Sequence, residues 1–134
     1  MSHILLIVHS IVRVLVLLVS VVALVKFALG WLRKETFKSI DEKIATWFSR
    51  LMDVQATLGL LLLLWSGLVD GAGFPRYRLE HMGVMIVAVG LSHMSVRFKS
   101  AVDNIRFRNT FFLILGVLVL VFFGISLLPN GLSR

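Results

Sequence analysis

The sequence predicts an all-α integral membrane protein, an antiparallel up-and-down four-helix bundle in which residues 1–134 form a single domain. Hydrophobic residues make up 58% of the chain and charged residues only 16%, whereas soluble domains carry about 25% charged residues. The mean hydropathy is +0.95. Four apolar runs are each long enough for a spanning helix, which needs roughly 20 residues. Because these runs use most of the chain, any function must depend on residues within the spans or at their ends.

Polar and helix-breaking residues set the bounds of the predicted spans. Span 1 covers about residues 4–32, span 2 about 46–69, span 3 about 78–96 and span 4 about 110–128. Ser39 and Glu42 have the spacing of a capping box, which predicts a helix start at Ser39 with Asp41 in water. The glycine-rich segment 70–75 is expected to end span 2, and Pro129 to end span 4.

The basic residues predict the orientation of the spans. An even number of spans puts both termini on one side of the bilayer, named side A, opposite side B. Ten of the 14 basic residues fall on side B: Lys26, Arg33, Lys34, Lys38, Lys43, Arg50, Arg97, Lys99, Arg106 and Arg108. The other four fall on side A: Arg13, Arg76, Arg78 and Arg134. Side B is therefore expected to be cytoplasmic by the positive-inside rule.

The net charge of +7 points to the lipid bilayer as a partner, and no nucleic acid partner is expected. The basic residues flank the hydrophobic runs, as in membrane-surface anchoring. The absence of cysteine excludes disulfides, iron–sulfur clusters and covalently attached c-type haem. The strong metal ligands that remain are His3, His9, His81 and His93.

Polar and small residues form a stripe along one face of each of the first three spans. The span 1 stripe consists of His9, Arg13, Val16, Ser20, Ala23 and Phe27. The span 2 stripe consists of Met52, Gln55, Gly59 and Ser66, and the span 3 stripe of His81, Met85, Ala88, Ser92 and Ser95. We expect the span 1 stripe, and the comparable stripe of span 2, to face the other helices. Span 4 contains no ionisable residue and is expected to tolerate lipid contact, with Gly116 and Gly124 allowing close packing.

The depths of two histidines predict a haem site. His9 and His81 both lie near side A, on spans expected to run in opposite directions. Two imidazoles at equal depth on facing helices can ligate one haem iron from both sides. Glu80 or Ser10 is expected to orient one of the rings by accepting its other proton. The alternative interpretation is structural, because histidines near an interface often bond only to headgroups or water.

A flat ring also needs small neighbours and cations. Gly83 and Gly90 of span 3 are expected to give it room, together with Ala23 and Ala88. The propionates need a cation near the interface, for which the candidates are Arg13, Arg76 and Arg78. An ordinary snorkelling role for Arg13 remains the alternative.

His93 is a third candidate ligand, near side B and without a histidine at its depth. It could serve a second metal centre or, with Gln55 and Asp53, contact a quinone or relay a proton. The structural interpretation of Asp53 is an interfacial ion pair with Arg50 or Arg97. Ionisable groups within a membrane are functional candidates in general because they are costly to place there.

Three motifs resemble those of small bacterial membrane proteins labelled cytochrome B-like. They are His9-Ser10-x-x-Arg13 in span 1, Asp53-Val54-Gln55-x-x-Leu58-Gly59 in span 2, and Glu80-His81 with Met85, Ala88 and His93 in span 3. Many of those proteins have tryptophan after the span 1 arginine, where this chain has Val14. The resemblance implies b-type haem and electron transfer. It also implies a place in the bacterial inner membrane, where the excess of basic residues on side B predicts both termini on the non-cytoplasmic side.

The leading hypothesis is a haem b electron carrier, working with a quinone or a redox protein partner beside a quinone-linked respiratory complex. It is expected to be an electron-transfer protein or subunit rather than a stand-alone enzyme. The alternatives are a cofactor-free accessory membrane subunit and a small transporter or proton pathway. Gly67 and Gly71 have GxxxG spacing, which is compatible with a homo-oligomer or a larger complex.

Overall fold

The computed structural model describes residues 1–131, so Arg134, which was assigned to side A, lies outside the described residues. The described residues are mostly helical and contain no strand, which confirms the predicted all-α class. They form four long helices: α1 (Ser2–Leu32), α2 (Ser39–Leu64), α3 (Arg76–Ser92) and α4 (Asp103–Ser126). A π-helical segment (Trp65–Val69) continues α2, and a 3-10 segment (His93–Phe98) continues α3.

Each of the four helices, counted with its continuation, is long and apolar enough to cross a membrane. The shortest, Arg76–Phe98, has 23 residues. It would span roughly 35 Å, compared with about 30 Å for the hydrocarbon core of a bilayer. Large apolar side chains on the outer surface are more than half exposed: Ile11, Leu18, Val22, Ile86, Val87, Val119 and Phe123. An apolar surface of this extent is rare on a soluble monomer.

The packing of the helices places α1 and α3 at opposite corners of the described structure. α1 packs against α2 and α4, and α3 packs against the same two helices. The core between them is formed mainly by apolar side chains from all four helices: Val16, Ala23, Phe27, Phe48, Met52, Ala88, Phe107, Ile114, Val117, Val121 and Ile125. The inner faces of α1 and α3 therefore lie on opposite sides of this core.

α4 has the most buried residues of the four helices, while Val119 and Phe123 on its outer face are more than half exposed. Its buried residues number eight within the described chain: Phe107, Thr110, Leu113, Ile114, Val117, Val121, Gly124 and Ile125. The physical reason is its position, because α4 contacts both α1 and α3. Gly124 does allow close packing as predicted, since a Cβ there would lie 2.7 Å from Met85 Cε.

The start of α2 differs from the predicted capping box by one residue. Lys38 is the N-cap, and its backbone N–H donates to Asp41 Oδ2 at 2.9 Å. Asp41 is fully buried, so the expectation that it stays in water is wrong. Lys26 of α1 lies 3.0 Å from Asp41 Oδ1, an ion pair that lacks the angle of a hydrogen bond. The buried carboxylate is retained because it satisfies a helix end and a lysine at once.

The GxxxG spacing of Gly67 and Gly71 does not form a helix face. Gly67 is buried beneath the ring of Phe74 from the following loop. Gly71 lies beyond the helix with φ +74°, a conformation that favours glycine. Backbone N–H groups of Ala72 and Gly73 donate to the carbonyls of Ser66 and Gly67 at this helix end. These two glycines therefore end the helix rather than offering a surface to a second copy.

Candidate functional site

A cavity of about 440 Å³ lies between the four helices, within the range of about 300–1,000 Å³ that is usual for ligand pockets. Its lining comes from the start of α1, the end of α2, the start of α3 and the end of α4. Most lining residues are apolar. The main polar residues among them are His3, His9, Ser10, Arg13, Gln55, Ser66, Asp70, Arg78 and His81. The cavity is thus an apolar chamber with a few polar groups, as expected of a cofactor site.

The predicted stripes meet at this cavity. All four members of the span 2 stripe line it: Met52, Gln55, Gly59 and Ser66. The first three members of the span 1 stripe line it as well, and the others are buried in the core. His81 and Met85 of the span 3 stripe complete the wall. The inward faces expected for the stripes of spans 1 and 2 are therefore confirmed.

His81 is oriented by a backbone carbonyl of α4. Its Nδ1 lies 2.7 Å from the carbonyl oxygen of Gly124. A carbonyl only accepts, so Nδ1 carries the hydrogen, and the neutral ring then has its lone pair on Nε2. A backbone carbonyl on the second nitrogen is the usual partner of a metal-binding histidine. The close approach depends on Gly124, whose missing side chain leaves room for α3.

Glu80 does not orient the His81 ring, so that expectation is wrong. Its carboxylate accepts a hydrogen bond from Arg76 Nε at 2.6 Å, one turn earlier on the same helix. Neither residue lines the cavity. Arg76 and Glu80 are four residues apart, so their side chains lie on the same face of α3. The side chains of Glu80 and His81 are adjacent in sequence and point to different faces, so they do not meet.

His9 reaches the same cavity from the opposite corner. Its ring packs on the backbone of α2 at Gly59, where an added Cβ would lie 3.2 Å from His9 Cε1 and 3.9 Å from Met82 Cε of α3. Gly59 therefore leaves the space in which the imidazole is positioned. Arg13, one turn along α1, lines the cavity beside it.

Arg78 enters the cavity from the first turn of α3. Its Nη1 donates to Ser66 Oγ at 2.8 Å, while Ser66 itself donates to the carbonyl of Leu62 at 2.7 Å. Ser66 belongs to the π-helical segment, and such segments occur frequently at functional sites. Sequence reasoning named Arg78 only as one of three arginines. The hydrogen bond between Arg78 and Ser66 depends on the conformation of a loop and of a π-helical turn, and no sequence pattern predicted either.

Buried polar atoms mark the cavity wall. Gln55 Oε1 and Arg78 Nε are both buried and have no hydrogen-bond partner among residues 1–131. Native proteins leave few such atoms without a reason, and a ligand is one common reason. A candidate ligand should therefore offer a donor to Gln55 Oε1 or an acceptor to Arg78 Nε.

Gly83 and Gly90 do not line the cavity. Both are exposed, and a Cβ on either would have nothing within 4 Å. They lie on the outer side of α3, while Gly59 and Ala56 of α2 supply the small residues of the wall. A helical wheel shows which residues share a face, but it does not show which face turns inwards.

His93 and Asp53 form a second polar feature, away from the cavity. His93 Nε2 lies 2.7 Å from Asp53 Oδ1, and the two side chains are 49% and 45% exposed. His93 stands where α3 gives way to the 3-10 segment. Asp53 pairs with His93, so the pairing expected with Arg50 or Arg97 is wrong. The pair is open at the surface between α2 and α3.

No cluster of three or more histidine, cysteine, aspartate or glutamate side chains suited to a metal ion occurs within residues 1–131. A haem needs at most two axial ligands from the protein. No family model, curated protein or solved structure matches this chain. The functional argument therefore depends on the geometry of the cavity.

Proposed function

We propose that the chain is a membrane-embedded b-type haem protein that transfers electrons, of the cytochrome B-like kind. The observation that supports this most is the placement of His9 and His81. They come from helices at opposite corners and line the same cavity. The hydrogen bond from His81 Nδ1 to the Gly124 carbonyl favours the ring form that binds iron through Nε2.

The proposed setting is the bacterial inner membrane, crossed four times by an antiparallel bundle. The apolar outer surface and the four long helices support insertion. Alternating helix direction is supported by the cavity lining, which joins the starts of α1 and α3 to the ends of α2 and α4. The excess of basic residues on side B supports an orientation with both termini on the non-cytoplasmic side.

The residues present fit a haem group. His9 and His81 would hold the iron through their imidazoles, and the apolar wall from Met52, Met85 and Val121 would exclude water. Arg78, whose Nε is buried without a partner, would hold a propionate. When bound, haem supplies a one-electron couple whose potential depends on the axial ligands and on burial. The protein's part is to position the imidazoles and to keep the cavity dry.

Electron transfer of the proposed kind needs a partner that delivers electrons to the haem. A lipid-soluble quinol could deliver electrons from within the bilayer, and a redox protein is the alternative donor. The Asp53–His93 pair is the proposed quinone contact, since it is open at the outer surface and can exchange a proton. Gln55, two residues from Asp53, faces the cavity instead.

The deciding experiment is the absorption spectrum of the protein purified with haem supplied during expression. We expect a low-spin b-type spectrum on reduction, lost or converted in His9→Ala and in His81→Ala. His3→Ala is the matched control, because His3 also lines the cavity yet is exposed, and its spectrum should be unchanged.

Two results would contradict the assignment. A purified, folded protein without any haem band would favour a cofactor-free accessory subunit. A spectrum that survives His9→Ala but disappears in His93→Ala would move the haem to side B.

A further inference from the structure

Arg78 is a cation in the cavity wall without a carboxylate partner in the described chain. Its Nη1 is held by Ser66 Oγ at 2.8 Å, and its Nε is buried with no hydrogen-bond partner. Asp70 also lines the cavity, but it forms no ion pair with Arg78 among residues 1–131. The neighbouring Arg76 differs, since its side chain is 93% exposed and paired with Glu80.

A guanidinium in this position lacks a counter-charge. Arginine stays protonated in proteins, so it cannot lower the cost of burial by losing its proton. A buried charge is tolerated when it is paired, and a buried N–H when it is hydrogen-bonded. Arg78 as a whole is only partly buried, and a negatively charged acceptor that reaches into the cavity would satisfy both its charge and its buried Nε.

Ser66 holds the guanidinium in place for such a partner. The hydroxyl hydrogen of Ser66 is used by the Leu62 carbonyl, so its oxygen is left to accept from Arg78 Nη1. The π-helical segment brings Ser66 to this point, at the end of α2 and opposite the first turn of α3. The first turn of a helix also carries the positive end of the helix dipole, which favours an anion beside it.

We infer that the cavity binds an amphiphile with an apolar body and a carboxylate, and that Arg78 receives the carboxylate. Ser66 is the positioning residue for the guanidinium. For haem, this inference rests on the proposed function and assigns the propionate contact to Arg78. The same chemistry would be offered by a fatty acid, whose carboxylate and apolar chain also suit the lining.

The test compares an acid with its ester on the same cavity. The full-length protein, stripped of any ligand and placed in nanodiscs of neutral phosphatidylcholine, is titrated with protohaem and with its dimethyl ester. The unaltered protein should bind the diacid at least about tenfold more tightly, since a charged hydrogen bond of this kind is worth at least that factor. Arg78→Gln should reduce the preference below about threefold, while the matched control Arg76→Gln should keep it.

Two further variants separate charge from position. Arg78→Lys keeps the charge without the fork of donors and should retain part of the preference. Ser66→Ala should lower the preference for the acid from about tenfold to about threefold. Its affinity for the ester should not change. If Arg78→Gln fails to fold, judged by circular dichroism and gel filtration, the Ser66→Ala and Arg78→Lys results decide the matter.

The inference would be overturned by equal affinities for acid and ester in the unaltered protein, or by a preference that persists in Arg78→Gln. A second arm uses a fluorescent fatty acid and its methyl ester. If neither form of haem binds, the proposed function fails. The inference then stands only if the protein prefers the fatty acid to its ester and loses that preference in Arg78→Gln.

Discussion

At the scale of single residues, the cavity depends on where side chains are missing as much as on where they are present. Gly59 leaves the space for the His9 ring, and Gly124 brings its carbonyl to His81. Both glycines were recognised in the sequence as small residues on helix faces. The sequence could not show that the His9 ring packs on Gly59 or that His81 bonds to the Gly124 carbonyl. Each of these contacts joins two different helices.

Gly59→Val should cost haem binding without unfolding the protein. The added methyl groups would enter the space of the His9 ring, since a Cβ alone would already lie 3.2 Å from His9 Cε1. Gly83→Val is the matched control, because its Cβ would meet nothing within 4 Å and valine has the same helix propensity at both positions. Haem content per folded protein should fall about tenfold or more in Gly59→Val only. Equal haem content in the two variants would contradict the placement of His9.

The Asp53–His93 pair allows a test of the electron partner. If it takes the proton of a bound quinol, then Asp53→Asn should slow the reduction of the haem by a soluble quinol analogue by about 100-fold, a usual effect for general acid–base groups. The absorption spectrum should not change, because the pair lies outside the cavity.

Glu80→Gln is the control for this measurement, since it removes the charge from an ion pair of similar length within α3 that lies outside the cavity. Stopped-flow absorbance would measure the rate of reduction in each variant. Equal rates in Asp53→Asn and the unaltered protein would leave the pair with a structural role, joining α2 to the end of α3.

At the scale of the elements, the start of α2 is held by charge rather than by the predicted serine. Asp41 accepts from the Lys38 backbone and pairs with Lys26 of α1. An aromatic cluster lies near this helix start. It consists of Phe27 of α1, Phe37 of the loop before α2 and Phe107 of α4, whose rings contact one another. A buried carboxylate at a helix start therefore ties α2 to α1, where the sequence suggested a wet surface turn.

Asp41→Ala should lower the free energy of unfolding by about 2 kcal/mol, because it removes a cap and leaves Lys26 without its closest partner. Asp41→Asn should cost about half as much, since the amide oxygen can still accept from Lys38. Denaturation in detergent micelles, followed by circular dichroism, measures both. Asp103→Asn is the control, an exposed acid in the first turn of α4. A loss no greater in Asp41→Ala than in Asp103→Asn would contradict this account.

At the scale of the whole molecule, the charge distribution predicts an orientation that reporter fusions can check. Ten basic residues on side B against four on side A predict that Ser100 faces the cytoplasm and that the C-terminus does not. A reporter active only in the cytoplasm should work when fused after Ser100. The same reporter should be inactive when fused after Arg134, and activity there would contradict the proposed topology.

The sequence by itself determined the helices and their polar faces. Hydropathy and the helical repeat are properties of consecutive residues, so the stripes of the first two spans could be predicted and were found at the cavity or in the core. The positions of His9, Arg13, Gln55 and His81 follow from that periodicity.

Only the tertiary structure decided how the helices are arranged around the cavity. The bonds from His81 to Gly124 and from His93 to Asp53 join residues 43 and 40 positions apart. The inward faces of α3 and α4 also depended on packing, which turned Gly83 and Gly90 outwards and buried one face of α4. Such contacts depend on the rotation and offset of whole helices, and these are set by the fit of many side chains rather than by any local pattern.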